Sequence, residues 1–500
     1  MSSNRWATAL GVVALPMAGT PLAAQGYSLR FDMQAQTYAY RGVTADSIGV
    51  AAVVTAPDGS QTTADGKSVT CIGTTPGYCD FFSAGPRIQA VPLVARINGN
   101  LWGLGVPGLR LHVDGRIAGQ AGDRDAVAGT TPGFQLLEAF AEYSRDWLVG
   151  RLGRQAVTGR LGYTTFDGGL LEVRNAAHGL GGSAYLGRGT AQSTFLQPGN
   201  PILNPLDNWQ PSRGKTVAGA DLSWSSSWID ARADYQREVD NDTRNFVSER
   251  VALSGNGRLG RQWSVSGGAD YDLSYDWWGS ADLTLRYAGR TVNASGGVRR
   301  YRPFFDLWSI WGAFSPTPYS AANGALSIQI SPRLEVRGNL EYFWYGNTAT
   351  ETPLVVVVDD GWRGTLAAGY RLGPGWAVDA SAEFDRGPGA AANDLQGGVR
   401  WTPRSALSLG AHLGTLSRPL EFRYNSAGVF WIGVEGRYRA SPRLTLNLSG
   451  DWLHDRQNEP DVIAFSWSQL RLSLQATWFL NSRADMEPLP RGLPRRPPPQ

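Results

Sequence analysis

Segments of about ten residues in which apolar and polar side chains alternate recur through most of this chain, with turns between them. At 469–478 the sequence QLRLSLQATW places Leu470 and Leu472 on one face and Arg471 and Ser473 on the other. Such alternation is typical of a β-strand that has one apolar and one polar face. Four other segments share the pattern: 228–237, 362–372, 376–385 and 443–452.

These strands are too numerous to enclose one soluble core, and nothing in the sequence divides them into domains. In a closed membrane barrel, lipid contacts the apolar faces and a water-filled lumen contacts the charged faces. We therefore predict an all-β fold, a transmembrane antiparallel up-and-down β-barrel of about 22 strands, within a range of about 16–22, in the bacterial outer membrane.

The two ends of the chain differ from the repeating region. One charge at Arg5 and an apolar stretch at 7–18 predict a secretory signal peptide over 1–24. The tail at 483–500 is rich in Pro and Arg, which predicts disorder in the periplasm. No segment after the signal has the roughly 18 consecutive apolar residues of a transmembrane helix, so strands are expected to cross the membrane. We assign the region between the signal peptide and the tail, 25–482, to the barrel.

Short turns alternate with longer connections along the barrel region. The turns at 331–334, 372–376 and 441–444 contain Pro or Gly, whereas the connections at 41–87 and 188–214 are long. Outer-membrane barrels show this alternation, with short periplasmic turns and long extracellular loops. Tryptophans near strand ends predict interfacial aromatic girdles: Trp263, Trp277, Trp278, Trp344, Trp362, Trp376, Trp401, Trp452 and Trp478.

The chain has two cysteines, Cys71 and Cys79, which enclose the sequence IGTTPGY. In an exported protein this spacing predicts a local disulfide that closes one loop. A metal site is disfavoured, because no histidine or third cysteine lies nearby.

The remaining motifs disfavour an enzyme. The sequence contains neither the G-x-S-x-G of hydrolases nor the H-E-x-x-H of zinc proteases. The segment GLGVPG at 103–108 fits G-x-G-x-x-G, but Pro107 and the lack of a following helix indicate a turn. No C-x-x-C-H is present, so we expect no cofactor. A balance of 46 basic and 43 acidic residues disfavours a nucleic-acid partner.

Charged residues on the polar strand faces are the first candidates for lining a pore. Both signs occur on neighbouring strands, so the charges either form ladders that fix the shape of the barrel or form an arginine track that selects solutes. Alternation places these candidates in the lumen: Asp230, Arg232, Asp234, Arg286, Arg337, Arg400 and Arg437.

A second set of candidates lies in the aromatic segment 301–319, which has seven aromatic residues. A loop this apolar needs a surface to pack against, so it folds into the lumen mouth, docks a partner, or continues a strand into the girdle. If it folds inward, the residues that constrict the pore are Phe304, Phe305, Trp308 and Trp311.

The segment LEAFAEYSRDWLVGRLGRQ at 137–155, followed by RLGYTTFDGGLLEVR at 160–174, resembles the GRQ…FDG segment of alginate-export-like porins. In that family, two adjoining strands lead into an inward loop. The resemblance implies a diffusion conduit with Arg151, Arg154 and Arg160 near its constriction. The whole chain also resembles uncharacterised outer-membrane barrels of bacteria.

Two functions follow from these patterns. The first is a porin-like channel for passive diffusion of small polar solutes, with outer-membrane lipid around it. The second is a barrel sheath or receptor that encloses or docks a separate protein, such as an electron-transfer cytochrome, in its lumen or at its loops. A transporter with a plug domain is disfavoured, because the first strand is expected close to Tyr27.

Overall fold

The structure is a computed structural model that describes residues 26–55, 59, 61–65, 67–71, 77–122, 134–190, 215–241, 244, 246–302, 318–346, 360–387, 390–418, 426–458 and 467–482. The predicted signal peptide and tail lie outside this part of the chain. Among the described residues, no helix is long and apolar enough to cross a membrane.

The described chain is almost entirely β-strand, with one short 3₁₀ helix at Val50–Ala52. The strands are β1 Gly26–Gly49, β2 Val54–Thr55, β3 Gln61–Thr62, β4 Val69–Thr70, β5 Tyr78–Ala90, β6 Pro92–Trp102, β7 Leu109–Gln120, β8 Phe134–Arg145, β9 Leu148–Gly159, β10 Gly162–Asn175, β11 Leu180–Gly189, β12 Lys215–Ser225 and β13 Ile229–Asp240. They continue with β14 Phe246–Arg258, β15 Trp263–Asp272, β16 Trp277–Ala288, β17 Val292–Tyr301, β18 Tyr319–Ser331, β19 Leu334–Tyr345, β20 Asp360–Gly373, β21 Trp376–Gly387, β22 Ala390–Arg404, β23 Leu407–Arg418, β24 Ser426–Ser441, β25 Leu444–Asn458 and β26 Trp467–Asn481.

Strand β1 and strands β6 to β26 form a closed antiparallel barrel of 22 strands in the described chain. Consecutive strands pair with each other, and β1 closes the barrel by pairing with β26 from Ser28↔Asn481 to Thr37↔Leu472. Its other edge pairs with β6, so no open edge remains in the wall. The predicted fold class and strand number are confirmed.

Strand β1 extends beyond the barrel wall. Its second half pairs with β5 from Tyr38↔Ala90 to Gly49↔Tyr78, and only Val91 separates β5 from β6. The predicted connection at 41–87 is therefore a structured extension, which contains β2 to β5 and lies on the side opposite the chain ends.

A small core stabilises this extension. Val69, Cys79 and Phe81 are buried together, and Cys71 packs against them. Cys71 and Cys79 form the predicted disulfide, with Cα atoms 4.2 Å apart. The bond joins residues eight positions apart, so it constrains the extension and no part of the barrel wall.

Replacing both cysteines by serine is expected to leave barrel assembly unchanged. The loop that the bond closes is short, so its loss destabilises the extension by about 2–3 kcal/mol at most in the chain-entropy description. Heat-modifiable gel mobility of Cys71→Ser/Cys79→Ser tests assembly, and limited proteolysis tests the extension. Loss of the heat-modifiable band would show that the extension contributes to barrel closure.

Candidate channel lumen

Contacts between distant strands identify the inner face of the wall. Arg160 lies between β9 and β10, and its guanidinium forms an ion pair with Asp282 of β16 at 2.6 Å. It also donates a hydrogen bond to the carbonyl oxygen of Gly268 in β15, at 2.8 Å. Strands β15 and β16 are not neighbours of β9 or β10 in the sheet. The contact therefore crosses the barrel interior, and alternation extends this assignment of the inner face around the wall.

The opposite face of the wall is apolar and exposed. Leu222, Leu152 and Leu253 are exposed over 72%, 71% and 63% of their surface. Exposed tryptophans at strand ends flank this band, and the rings of Trp376 and Trp401 stack with centroids 5.4 Å apart. An apolar band between aromatic girdles is the lipid-facing surface of a membrane barrel. The chain is an outer-membrane β-barrel.

Strands β9 and β10 continue past their neighbours and form an inward hairpin tip at 155–165. The ladder of β9 with β8 ends at the pair Ala139↔Arg154, and the ladder of β10 with β11 ends at Phe166↔Gly189. Beyond these pairs, Thr165 still exchanges hydrogen bonds with Thr190, and the rest of the described tip pairs only within the hairpin, up to Gly162↔Gly159. The hairpin tip is therefore free of the wall ladders and bends into the lumen.

Glycines at the base of the hairpin permit the bend. Gly153 has a φ of 131°, a conformation that side chains disfavour. It pairs with Gly168, which pairs in turn with Gly187 on β11. A side chain on Gly153 would overlap the carbonyl oxygen of Ala139, and one on Gly168 would overlap that of Leu186. The strands thus approach each other closely where the hairpin leaves the wall.

Polar contacts anchor the hairpin tip on one side of the lumen. Besides its bonds to Asp282 and Gly268, Arg160 lies 3.2 Å from the hydroxyl of Ser280 and 3.9 Å from Asp270. The Arg160 side chain is 16% exposed, whereas that of Asp282 is 40% exposed, so solvent reaches the ion pair from the side of the carboxylate. Thr164 adds a hydrogen bond to Gln236 of β13 at 3.4 Å.

On its other side the hairpin tip faces the wall formed by β6 to β8. Tyr163 interacts electrostatically with Glu138, Arg96 and Asp114, which lie on the inner face of these strands. Arg96 and Asp114 form an ion pair there, with Nε 2.8 Å from Oδ1. The hairpin tip thus extends between two groups of strands and narrows the lumen from within.

Cross-strand ion pairs of both signs line the inner wall. Glu142 on β8, whose side chain is 8% exposed, accepts hydrogen bonds from Arg151 at 2.6 Å and Arg110 at 2.7 Å. On the far wall, Glu341 lies 2.8 Å from Arg299 and 2.7 Å from Arg363. Such pairs fix side-chain positions, although partly exposed ion pairs contribute little to folding stability.

The structure places most of the pore-lining candidates on this inner face. Arg232 and Asp234 form an ion pair of 2.7 Å on β13, and Asp230 on the same face accepts a hydrogen bond from Ser225. Arg337 lies 3.6 Å from Glu335. Arg286, Arg400 and Arg437 also point inward, and none of them forms an ion pair with another described residue: Arg286 faces Ser264, Arg400 faces Gly410, and Arg437 faces Ser408.

Arg154 differs from the other candidates. It lies on the face of β9 that carries Leu152, opposite to Arg151, and forms an ion pair with Asp167 at 2.7 Å. It therefore sits at the base of the hairpin and does not join Arg151 in the lumen. The loop candidates Phe304, Phe305, Trp308 and Trp311 lie outside the described residues.

Sequence reasoning did not include Glu142, Tyr163 or Tyr185 among the candidate residues. Alternation from His112 and Arg110 on β7, across to β8, would have placed Glu142 in the lumen. Alternation also places Tyr185 on the inner face of β11, because its neighbour Leu186 lies on the exposed apolar face. No local signal identifies Tyr163, because its position depends on the inward bend of the hairpin.

No family model matches the chain, and no curated protein sequence matches it. Among solved structures, it is similar to a mutant ferric enterobactin receptor from Pseudomonas aeruginosa, with 9% sequence identity and a TM-score of 0.47, over 90% of this chain and 80% of that chain. It is also similar to OccAB4 of Acinetobacter baumannii, with 10% identity and a TM-score of 0.39, over 92% of this chain and 100% of that chain. A BenF-like porin from Pseudomonas fluorescens Pf-5 has 9% identity and a TM-score of 0.38, over 91% and 99%. Similarity at this level carries no functional information, and the barrel assignment rests on the closed strand pairing.

Proposed function

We propose that the protein is a porin-like channel for passive diffusion of small polar solutes across the outer membrane. The observation that carries this proposal is the inward hairpin tip, anchored by Arg160 to Asp282 across the lumen. A charged constriction inside a barrel with a polar inner wall selects solutes by size and charge while it leaves a wet path beside it. The fixed wall supplies the frame, and the inward segment sets the width.

The same observation disfavours the sheath. A barrel that encloses a folded protein needs a lumen free of its own chain, whereas the tip of β9 and β10 occupies interior space between β6 to β8 and β13 to β16. Docking of a partner at the extracellular loops remains compatible with a channel, and the aromatic segment 301–319 is the candidate for it. The inward fold of that segment stays a prediction.

Single-channel recording of the purified barrel in a planar bilayer tests the proposal. We expect a stable ohmic current in potassium chloride, which scales with the salt concentration as a water-filled pore requires. Liposome swelling with neutral sugars of increasing size would then give the size limit. A barrel that inserts and shows the heat-modifiable mobility of a folded barrel, yet carries no current, would contradict the channel and favour the sheath.

A further inference from the structure

A polar pocket lies between the hairpin tip and the inner wall formed by β10 to β13. Its volume is about 240 Å³, and residues 156–159, 161 and 162 of the hairpin form one of its sides. Five charged side chains line it, three carboxylates and two guanidiniums: Glu172, Asp221, Asp234, Arg151 and Arg232. Glu172 forms an ion pair with Arg174 and Arg151 forms one with Glu142, both outside the lining. The remaining charges, two carboxylates that share the guanidinium of Arg232, leave one excess negative charge.

Asp234 is the most buried of the charged side chains that line the pocket, and one of its carboxylate oxygens has no hydrogen-bond donor among the described residues. Its side chain is 9% exposed, and its Oδ1 accepts a hydrogen bond from Nε of Arg232 at 2.7 Å. Its Oδ2 is buried and has no hydrogen-bond partner within the described residues. A buried carboxylate oxygen without a donor is costly. A donor brought by a ligand would remove this cost.

Asp221 and an aromatic ring complete the lining. Asp221 is held in place by the hydroxyl of Ser183 and lies 3.5 Å from Nη2 of Arg232, so one guanidinium is shared between two carboxylates. Tyr185 also lines the pocket, and its ring stacks on Phe166 with centroids 5.2 Å apart.

The position of the Tyr185 ring is fixed, and carboxylates lie beside it. The ring lies over Gly219, where any side chain would overlap it. Asp221 and Asp234 line the same pocket as the ring, and Glu238 and the guanidinium of Arg250 also lie in the neighbourhood of its hydroxyl. An immobilised aromatic face beside carboxylates is a favourable environment for an organic cation.

We propose that this pocket is a binding site for a small organic ammonium ion on its way through the channel. The ammonium donates to Oδ2 of Asp234 and compensates the excess negative charge, while its carbon skeleton packs on the ring of Tyr185. The solute class rests on the proposed channel function, but binding at the pocket can be measured without it.

Two other ligand classes fit the pocket less well. A hard divalent cation needs several oxygen ligands around it, but Arg232 occupies the space between Asp221 and Asp234. In the described part of the chain, no group of three His, Cys, Asp or Glu side chains is placed to hold a metal ion. A carboxylate solute would meet the unpaired Asp234 oxygen and be repelled by it.

Calorimetric titration of the full barrel in detergent micelles tests the proposal with three probes that share one skeleton. Ethanolamine carries an ammonium group at neutral pH, ethylene glycol carries a hydroxyl, and glycolate carries a carboxylate. We expect saturable binding of ethanolamine alone. Asp234→Asn is expected to weaken it about tenfold or more, because the charged acceptor is lost.

Two further variants keep the test decisive. Asp379→Asn removes a lumen-facing carboxylate on β21, away from the pocket, and is expected to bind ethanolamine like the parent. Gly159→Ala retains every charge but places a methyl group 3.3 Å from Oδ1 of Asp234, so it is expected to weaken binding even if Asp234→Asn fails to assemble.

Binding of glycolate in place of ethanolamine would overturn the proposal, and so would equal ethanolamine binding by the parent, Asp234→Asn and Gly159→Ala. Conductance of the same preparation is recorded separately. A conducting barrel that binds no ethanolamine refutes only the ammonium site, whereas a barrel that binds ethanolamine but carries no current refutes only the channel.

Discussion

Removal of the hairpin tip between β9 and β10 is expected to raise the single-channel conductance of the barrel. The tip projects into the lumen and is held by Arg160 on β15 and β16, so it takes up part of the conducting cross-section. The wall itself is maintained by ladders that end before the tip, at Ala139↔Arg154 and Phe166↔Gly189. A shorter hairpin should therefore leave assembly intact.

The strand register suggests how to shorten the hairpin. Ala156 and Thr165 face each other in the β9–β10 ladder, so residues 157–164 can be replaced by Asn-Gly, which forms a two-residue type I′ turn. We expect conductance to rise by about twofold or more, because the inward segment sets the width of such pores.

Two point variants distinguish the effect of the hairpin on the width of the pore from the effect of its ion pair with the wall. Arg160→Ala keeps the hairpin but removes its ion pair with Asp282, so a smaller increase and a noisier open current are expected. Arg443→Ala makes the same change in the short turn between β24 and β25, and its conductance should match that of the parent. If the shortened hairpin conducts like the parent, the narrowest part of the pore lies elsewhere, and the extracellular loops become the next candidates.

The strands of the barrel wall could be predicted from the sequence, because each strand lies between lipid on one face and water on the other. Lipid on one side and water on the other impose strict alternation, which 469–478 shows and β26 confirms. The first strand was expected near Tyr27, and β1 begins at Gly26. Alternation between lipid and water is not imposed on strands that lie beyond the membrane. The extension formed by β1 and β5 was therefore predicted as a long connection at 41–87.

The lumen was predictable only in part. Alternation gives the face of a side chain, which is why Asp230, Arg232 and Asp234 lie on the inner wall. The same rule separates Arg151 from Arg154, since residues an odd number of positions apart on a strand face opposite sides. The partners of Arg160 were not predictable, because Gly268 and Asp282 are far away in sequence and are reached only through the bend at Gly153.

Arginine at position 474 is expected to damage assembly far more than arginine at the neighbouring position 473. Leu474 is 49% exposed and lies on the lipid face of β26, the strand that closes the barrel against β1. Along this strand it stands midway between Trp478 and Leu470, and Leu470 is the register partner of Trp452. Because Trp452 and Trp478 belong to the two girdles, Leu474 lies near the centre of the bilayer.

An arginine at this depth on the lipid face costs about 2–4 kcal/mol in a barrel wall. Ser473 instead faces the lumen opposite Gln36 and Ser449, where water solvates a new guanidinium.

The folded fraction of Leu474→Arg and of Ser473→Arg is measured after refolding into vesicles. Heat-modifiable gel mobility across a urea series compares the two variants directly. Leu474→Ala is the matched control for loss of the leucine alone, since it retains an apolar surface towards lipid. We expect Ser473→Arg to fold like the parent, Leu474→Ala to fold with a small loss, and Leu474→Arg to need markedly less urea to unfold. Equal damage from both arginines would mean that the two faces of β26 meet the same environment, which is incompatible with a membrane wall around a wet lumen.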